Sequence, residues 1–354
     1  MRILIMTLHC TDNPGSSLQA FALQRYISMN YSQAQIIDYQ PRYLLNNGRP
    51  IRTFIKRVFG GNTRKRKLKV YKEFTKKYLD ILPRTYSTYK SLQSSNLNAD
   101  YFIVGSDQVW NCSYKCGKDP AYYLQFINTG KKIAYAASLG RSPIPAQDKD
   151  FLANHIKDFS AISVREGSSM PVISEIYDGH LQYVCDPTLL LDKKFYDEMA
   201  LEPVDDNYCI TYLAESSPIL DKVVAMVRQR YNCRIIQLTG TLNQCNFDTK
   251  VEDIGPREWI GYIKKARFVI TGSFHATVFS TIYHKNFAAI LPRENSARIK
   301  QYLEKVGLEH RIITEECEID RICEIDLAAY SDVDIKIAQF REESSRFLDE
   351  SIID

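Results

Sequence analysis

No run of eighteen apolar residues occurs in this 354-residue chain, which excludes an ordinary membrane-spanning helix. Histidine is scarce, with six in all. The HExxH, serine-triad and paired-cysteine patterns are missing, so zinc-peptidase and serine-hydrolase chemistry have no carriers. Neither GxGxxG nor a Walker loop is present, which disfavours a dinucleotide or ATP site. The nine cysteines are odd in number and form no disulfide framework. Cys185, Cys209 and Cys233 lie in or beside predicted strands, where a thiol is a small core residue. Cys112 and Cys116 are the one close pair in a polar surround, but no second pair or nearby histidine completes a zinc site. No metal is expected. Repeats, low-complexity tracts and flexible linkers are also missing. Met1–Thr7 is apolar but too short for a signal peptide and turns polar at His9. It reads as a buried first strand, and a cytoplasmic protein is expected.

What is present is an ordinary globular composition, 45% hydrophobic and 25% charged, in a chain long enough for two domains. The net charge of +4 hides an asymmetry. Residues 42–90 hold fifteen lysines and arginines against Glu73 and Asp80, whereas residues 315–354 hold thirteen acidic side chains against four basic ones. In the basic block Val70, Phe74 and Tyr78 fall at helical spacing. The block is either a solvated helical face or a surface for an anionic partner, such as a phospholipid face or a diphosphate-linked acceptor. Nucleic acid is not expected, because no recognised binding motif accompanies it.

Strand-like and helical runs alternate. The first half predicts strands at Ile3–Leu8, Gln35–Asp38, Tyr101–Val104, Lys132–Ala136, Ala161–Val164 and Gln182–Cys185. A helix is predicted over about 17–29, and two more around Gly60-Gly61. After a composition break at Glu202–Asn207 the alternation restarts with strands at Tyr208–Leu213, Arg234–Leu238, Phe268–Thr271 and Ala288–Ile290. Helices are predicted at Leu220–Arg230, Arg257–Lys264 and His275–Tyr283. This is α/β architecture in two doubly wound halves. The expected domains are 1–202, carrying the basic helical insertion at about 42–90, and 203–330. A C-terminal helix, 331–354, is expected to pack back on the first half.

In open parallel sheets ligands bind at the carboxyl ends of strands, and polar residues collect there. The first is the loop His9–Ser17, with Asn13, Gly15 and Ser16. It is either a plain capped turn or a phosphate cradle. Gly105-Ser106-Asp107-Gln108 follows the third strand. There Gly105 allows an unusual turn, and Asp107 either caps a helix or binds a ligand hydroxyl. Arg165 ends another strand, as a fork for carboxylate or phosphate or as an ion-pair partner of Glu166 or another acid. Arg293 and Arg298 lie in the loop after Ala288–Ile290 and could add positive charge. Asp332-Val333-Asp334 resembles a metal-binding DxD, but it starts a helix and reads as capping.

The most informative stretch is Arg267–Tyr283, RFVITGSFHATVFSTIY. A short β-branched strand turns at Gly272-Ser273 into a helix, which places Phe274 and His275 in or beside its first turn. Backbone N–H groups there suit an anion. A histidine in that position can give or take a proton beside a bound phosphate or carboxylate.

Together NPGSSLQAFALQRYI, FIVGSDQVWN, KIAYAASLG, ISVREGSS, CDPTLLLD and VITGSFHATVFS resemble the polysaccharide pyruvyl transferase family over most of the chain. The resemblance implies a glycosyltransferase-B-like fold of two Rossmann-like domains with an interdomain cleft. It also implies phosphoenolpyruvate as donor, with no tightly bound cofactor. The acceptor would be a hydroxyl pair on a sugar or lipid-linked oligosaccharide, and the products a ketal and phosphate. His275 would be the general acid and Arg165 a ligand of the donor anion. Asn13, Gly15, Asp107 and Asp186 match other motif positions. Ala276 stands where the family commonly has glycine, and Pro14 where it often has a residue with an N–H. Two other readings are a nucleotide-sugar glycosyltransferase on the same fold, and a non-catalytic module that binds anionic glycans or membranes through residues 42–90.

Overall fold

The computed structural model describes residues 1–45, 61–141, 143–205, 207–213, 215, 217–238, 245–293, 296–324 and 330–353. Residues 46–60 of the basic block, and Glu294 and Asn295 in the loop between the two expected arginines, lie outside the described residues. The chain divides into two compact units. One comprises Met1–Gly61, Lys72–Leu191 and Phe340–Asp354, and the other Asn62–Tyr71 and Asp192–Gln339. The composition break at Glu202–Asn207 falls inside the second unit. No helix among the described residues is long and apolar enough to cross a membrane.

The first unit is built on six parallel strands: β1 (Ile3–Met6), β2 (Ala34–Ile36), β3 (Tyr101–Gly105), β4 (Lys131–Ala137), β5 (Ala161–Val164) and β6 (His180–Tyr183). Their spatial order is β2-β1-β3-β4-β5-β6. Strands of a parallel sheet are covered on both faces, which is why β1 reads as an unbroken apolar run, ILIM, with all four residues buried. α1 (Pro14–Asn30) follows β1, capped by the Asn13 side chain, which accepts from the Ser16 N–H. Pro14 occupies the first helical turn, where a missing N–H costs no helical hydrogen bond. α2 (Gly61–Tyr78), of which Asn62–Tyr71 is counted with the second unit, buries Tyr71 and Phe74. α3 (Ala146–Ile156) lies between β4 and β5.

The second unit has five parallel strands: β7 (Tyr208–Tyr212), β8 (Arg234–Leu238), β9 (Thr249–Val251), β10 (Val269–Thr271) and β11 (Phe287–Ala289). Their order is β11-β10-β7-β8-β9. α4 (Leu220–Tyr231), α5 (Pro256–Lys265), α6 (Phe274–Ile282) and α7 (Ala297–Val306) complete its layers. α8 (Tyr330–Ile352) is the last helix, and its residues from Phe340 on belong to the first unit. Two elements differ from the sequence reading. β9 is a three-residue strand of partly exposed side chains, TKV, with no periodicity to announce it. Arg298, expected in a loop, lies in the first turn of α7, whose Ile299, Tyr302, Leu303 and Val306 are buried at helical spacing.

Each sheet reverses strand order once, between β1 and β3 in the first unit and between β7 and β10 in the second. Connections leave such a pair in opposite directions, which opens a crevice beyond the strand ends. Of the polar segments singled out in the sequence, those at His9–Ser17, Gly105–Gln108 and Gly272–His275 follow strands of these two pairs, whereas Arg165, Asp186 and Arg293 follow β5, β6 and β11.

Candidate functional site

In the first unit the ends of β1 and β3 are joined by side-chain hydrogen bonds. Ser16 Oγ donates to Asp107 Oδ2 at 2.5 Å. Gln19, one turn on, donates to Thr7 Oγ1 at 2.8 Å and accepts from the Ser106 N–H at 3.1 Å. Gly105 ends β3 in close contact with β4. Its φ is +137°, and a Cβ there would collide with the Tyr135 carbonyl oxygen. Asp107 has φ of 70°, and its Oδ1 accepts from the Gln108 N–H at 2.9 Å. Gln108 Oε1 accepts from Asn111 Nδ2 at 2.7 Å. Trp110 anchors the turn, stacked on Tyr123 at 5.6 Å and donating to the Tyr122 carbonyl.

Arg165 stands at the centre of this network. Its Nη1 donates to Asp186 Oδ2 at 2.9 Å, its Nη2 lies 3.6 Å from Asp107 Oδ1, and its side chain is 0% exposed. Burial opposes its charge, but Asp186, Asp107 and Glu166 outweigh that and hold the guanidinium above its ordinary range. Asp186 also accepts from Ser106 Oγ at 3.1 Å and from the Thr188 N–H and hydroxyl. Glu166 Oε1 accepts from Ser138 Oγ and the Gly140 N–H. Of the two roles left open for Arg165, the ion pair is the one observed, with Asp186 as the partner at hydrogen-bond distance. α8 braces this turn from outside. Ser344 Oγ accepts from the Cys185 N–H at 2.8 Å, and Arg341 Nε donates to the Leu189 carbonyl at 2.6 Å.

In the second unit β10 ends at Thr271, and Gly272-Ser273 turns the chain into α6. Ser273 is the cap, and its Oγ accepts from the Ala276 N–H. The Ser273 N–H donates to Thr271 Oγ1 at 3.0 Å, and that hydroxyl donates to the Tyr212 carbonyl. Phe274 and His275 are thus the first two residues of α6. Their rings meet edge to face at 5.4 Å, and His275 is buried. The Arg298 guanidinium lies over the Phe274 ring at 5.9 Å, and Tyr302 packs against the same ring. Ala276 is fully buried.

Beside this corner is a pocket of about 140 Å³, with Gly272 and Arg293 among its lining residues. Its walls are mostly apolar (Leu213, Pro218, Ile290 and Pro292), with Glu215 and Ser217 as polar groups. A Cβ on Gly272 would lie 2.8 Å from the Ile290 carbonyl oxygen, so glycine keeps that wall in place. Arg293 is exposed, and its backbone N–H donates to Glu215 Oε2 at 3.1 Å. No cluster of three or more metal-ligand side chains occurs among the described residues.

The sequence candidates therefore form two groups. Asn13, Gly15, Ser16, Ser106, Asp107, Gln108, Arg165 and Asp186 lie in the first unit. Gly272, Ser273, Phe274, His275, Arg293 and Arg298 lie in the second. Gln19, Glu215, Ser217 and Tyr302 were missed. Glu215 and Ser217 follow β7, so the rule that ligands gather after switch-point strands would have found them. Gln19 and Tyr302 sit inside helices and carry no such signal.

A family model described as polysaccharide pyruvyl transferase matches residues 13–293. The chain belongs to that family. No sequence relative is found among curated proteins. Among solved structures, UDP-GlcNAc 2-epimerase from Neisseria meningitidis bound to UDP-GlcNAc superposes with a TM-score of 0.55 at 9% identity, covering 100% of both chains. UDP-GlcNAc 2-epimerase from Methanocaldococcus jannaschii gives 0.52 at 13% identity, over 96% of this chain and 100% of that one. An O-GlcNAc transferase mutant from Thermobaculum terrenum gives 0.47 at 9% identity, and this chain spans 64% of its length. At these identities the likeness to the two epimerases is one of fold: two Rossmann-like α/β domains of the glycosyltransferase-B-like kind.

Proposed function

We propose that this family member transfers pyruvate from phosphoenolpyruvate to a hydroxyl pair on a sugar of a surface polysaccharide or its lipid-linked precursor. A cyclic ketal forms and phosphate is released. Family membership supports a transferase. The observation that carries the residue assignment is His275 in the first turn of α6, directly after the switch-point strand β10.

His275 gives its proton to the methylene carbon of the enol phosphate, whose double-bond electrons form the new C–H bond. The neighbouring carbon becomes an oxocarbenium ion, and one sugar hydroxyl adds to it and loses its proton. The bond to phosphate then breaks, with the electron pair leaving on phosphate. The second hydroxyl closes the ring at the same carbon and loses its proton. Of the two hydroxyl protons, one restores His275 and the other leaves with phosphate. Positioned proton transfer of this kind is worth about 10²- to 10⁴-fold. Arg298, over Phe274 beside His275, and Arg293 at the pocket are the cations offered to the donor's carboxylate and phosphate.

Arg165 is a positioning residue in this scheme. Three carboxylates surround it, so the network is net negative and ill suited to an anionic donor. Carboxylates accept well from sugar hydroxyls, and Asp107 is the group assigned to acceptor recognition. The test is incubation with phosphoenolpyruvate and a panel of sugar and lipid-linked acceptors, following phosphate release and the mass gain of a ketal. A second reading, nucleotide-sugar transfer, is favoured by the fold shared with an enzyme bound to UDP-GlcNAc. Release of nucleoside diphosphate from sugar nucleotides, with no phosphate from phosphoenolpyruvate, would establish that reading and overturn the first.

A further inference from the structure

The basic helix α2 is not used by either cluster. Eight of its eighteen residues are lysine or arginine, against Glu73 as the single acid. Part of that charge is consumed within the fold. Arg66 pairs with Asp253 at 3.1 Å, Lys67 lies over the Tyr71 ring, and Lys77 over the Tyr78 ring. Four of the eight cations are also aligned. Lys65, Lys69, Lys72 and Lys76 recur at i, i+4, i+7 and i+11, which places them on one stripe, opposite the buried Tyr71 and Phe74. All four are exposed. Like charges at this spacing repel one another, and an anionic partner would relieve that repulsion.

Leu68 lies beside the stripe, one turn from both Lys65 and Lys72, and is 42% exposed. A large apolar side chain among lysines suits a lipid interface, where the side chain enters the acyl boundary while the ammonium groups meet headgroup phosphates. A nucleic-acid backbone offers nothing to it. We infer that α2 docks the protein on an anionic lipid surface through Lys65, Leu68, Lys69, Lys72 and Lys76. The inference does not depend on which reaction the protein catalyses.

The test is co-sedimentation of the full chain with vesicles of phosphatidylcholine alone or with about 30 mol% phosphatidylserine, at salt between about 0.1 M and 0.5 M. The wild type should pellet with the anionic vesicles at low salt and be released at high salt. A variant with all four lysines changed to glutamine should lose at least about tenfold in binding, and one with all four changed to arginine should retain it. Leu68→Ser should weaken binding without changing its salt dependence. Thermal melts check that each variant folds. Three results would overturn the inference: no preference for anionic vesicles, equal binding by the glutamine variant, or tighter binding to duplex DNA than to vesicles in the same buffer.

Discussion

Arg165 and Asp186 form an ion pair at 2.9 Å in which neither side chain has any solvent exposure. Removing one partner leaves a buried charge uncompensated, at a cost of about 3–5 kcal/mol. Arg165→Met and Asp186→Ala should each unfold at clearly lower denaturant concentration than wild type. The double variant should be less destabilised than the sum of the two. Additive losses in a double-mutant cycle would show that the pair is not coupled.

His275→Ala and His275→Gln should lower kcat for phosphoenolpyruvate-dependent transfer by about 10²- to 10⁴-fold, with little change in melting temperature. Near-normal turnover in either variant would remove His275 from the mechanism.

Arg298→Ala should reduce kcat/KM for the donor by about 10- to 100-fold, the range set by losing one charged hydrogen bond. Arg298→Lys should recover part of this at best, since an ammonium group cannot present a planar fork or stack on Phe274. Steady-state kinetics with phosphoenolpyruvate varied measures it. An unchanged kcat/KM would place the donor's charges elsewhere.

Asp38 reports on pH. Burial raises its carboxyl pKa, but hydrogen bonds from His9, Thr85 and Gln40 overcome that and hold it below the usual carboxylate value. Cys10 beside it stays a neutral thiol, pushed up to about 12 by burial and then by the Asp38 charge. A carboxyl depressed on folding contributes stability that is present above its unfolded pKa and lost as pH falls through its folded one. The melting-temperature gap between wild type and Asp38→Asn should therefore be full at neutral pH and shrink as pH drops below about 3.8. A gap that stays constant into acid would contradict this.

Gly105→Ala should cost about 3 kcal/mol or more. Its φ of +137° disfavours any side chain, and the added methyl would meet the Tyr135 carbonyl. A soluble variant with wild-type stability would show that this corner can shift.

Where the strands lie was largely legible in the sequence. β5 and β8 fall on Ala161–Val164 and Arg234–Leu238 as read, because an apolar β-branched run between turns has few other ways to bury itself. The turn into α6 was legible too, since Gly272-Ser273 interrupts a strand and a helical period follows. α7 was missed although its apolar spacing was present, because Pro292, Arg293 and Asn295 drew the whole segment into a loop. Glu215 and Ser217 were missed because the strand order that makes β7 a switch-point strand is set by tertiary pairing, and without it the stretch reads as a turn.

By itself the sequence determined the strand–helix alternation, the family motifs and the histidine at the α6 corner, all properties of neighbouring residues. What the tertiary structure decided is which distant side chains meet. Arg165 read from the sequence alone is as good a phosphate fork as an ion-pair partner. In the fold it is paired with Asp186, because parallel pairing brings the ends of β3, β5 and β6 together and buries Asp107 and Asp186 against it. A buried guanidinium takes the nearest carboxylate, and no local pattern records which one that will be.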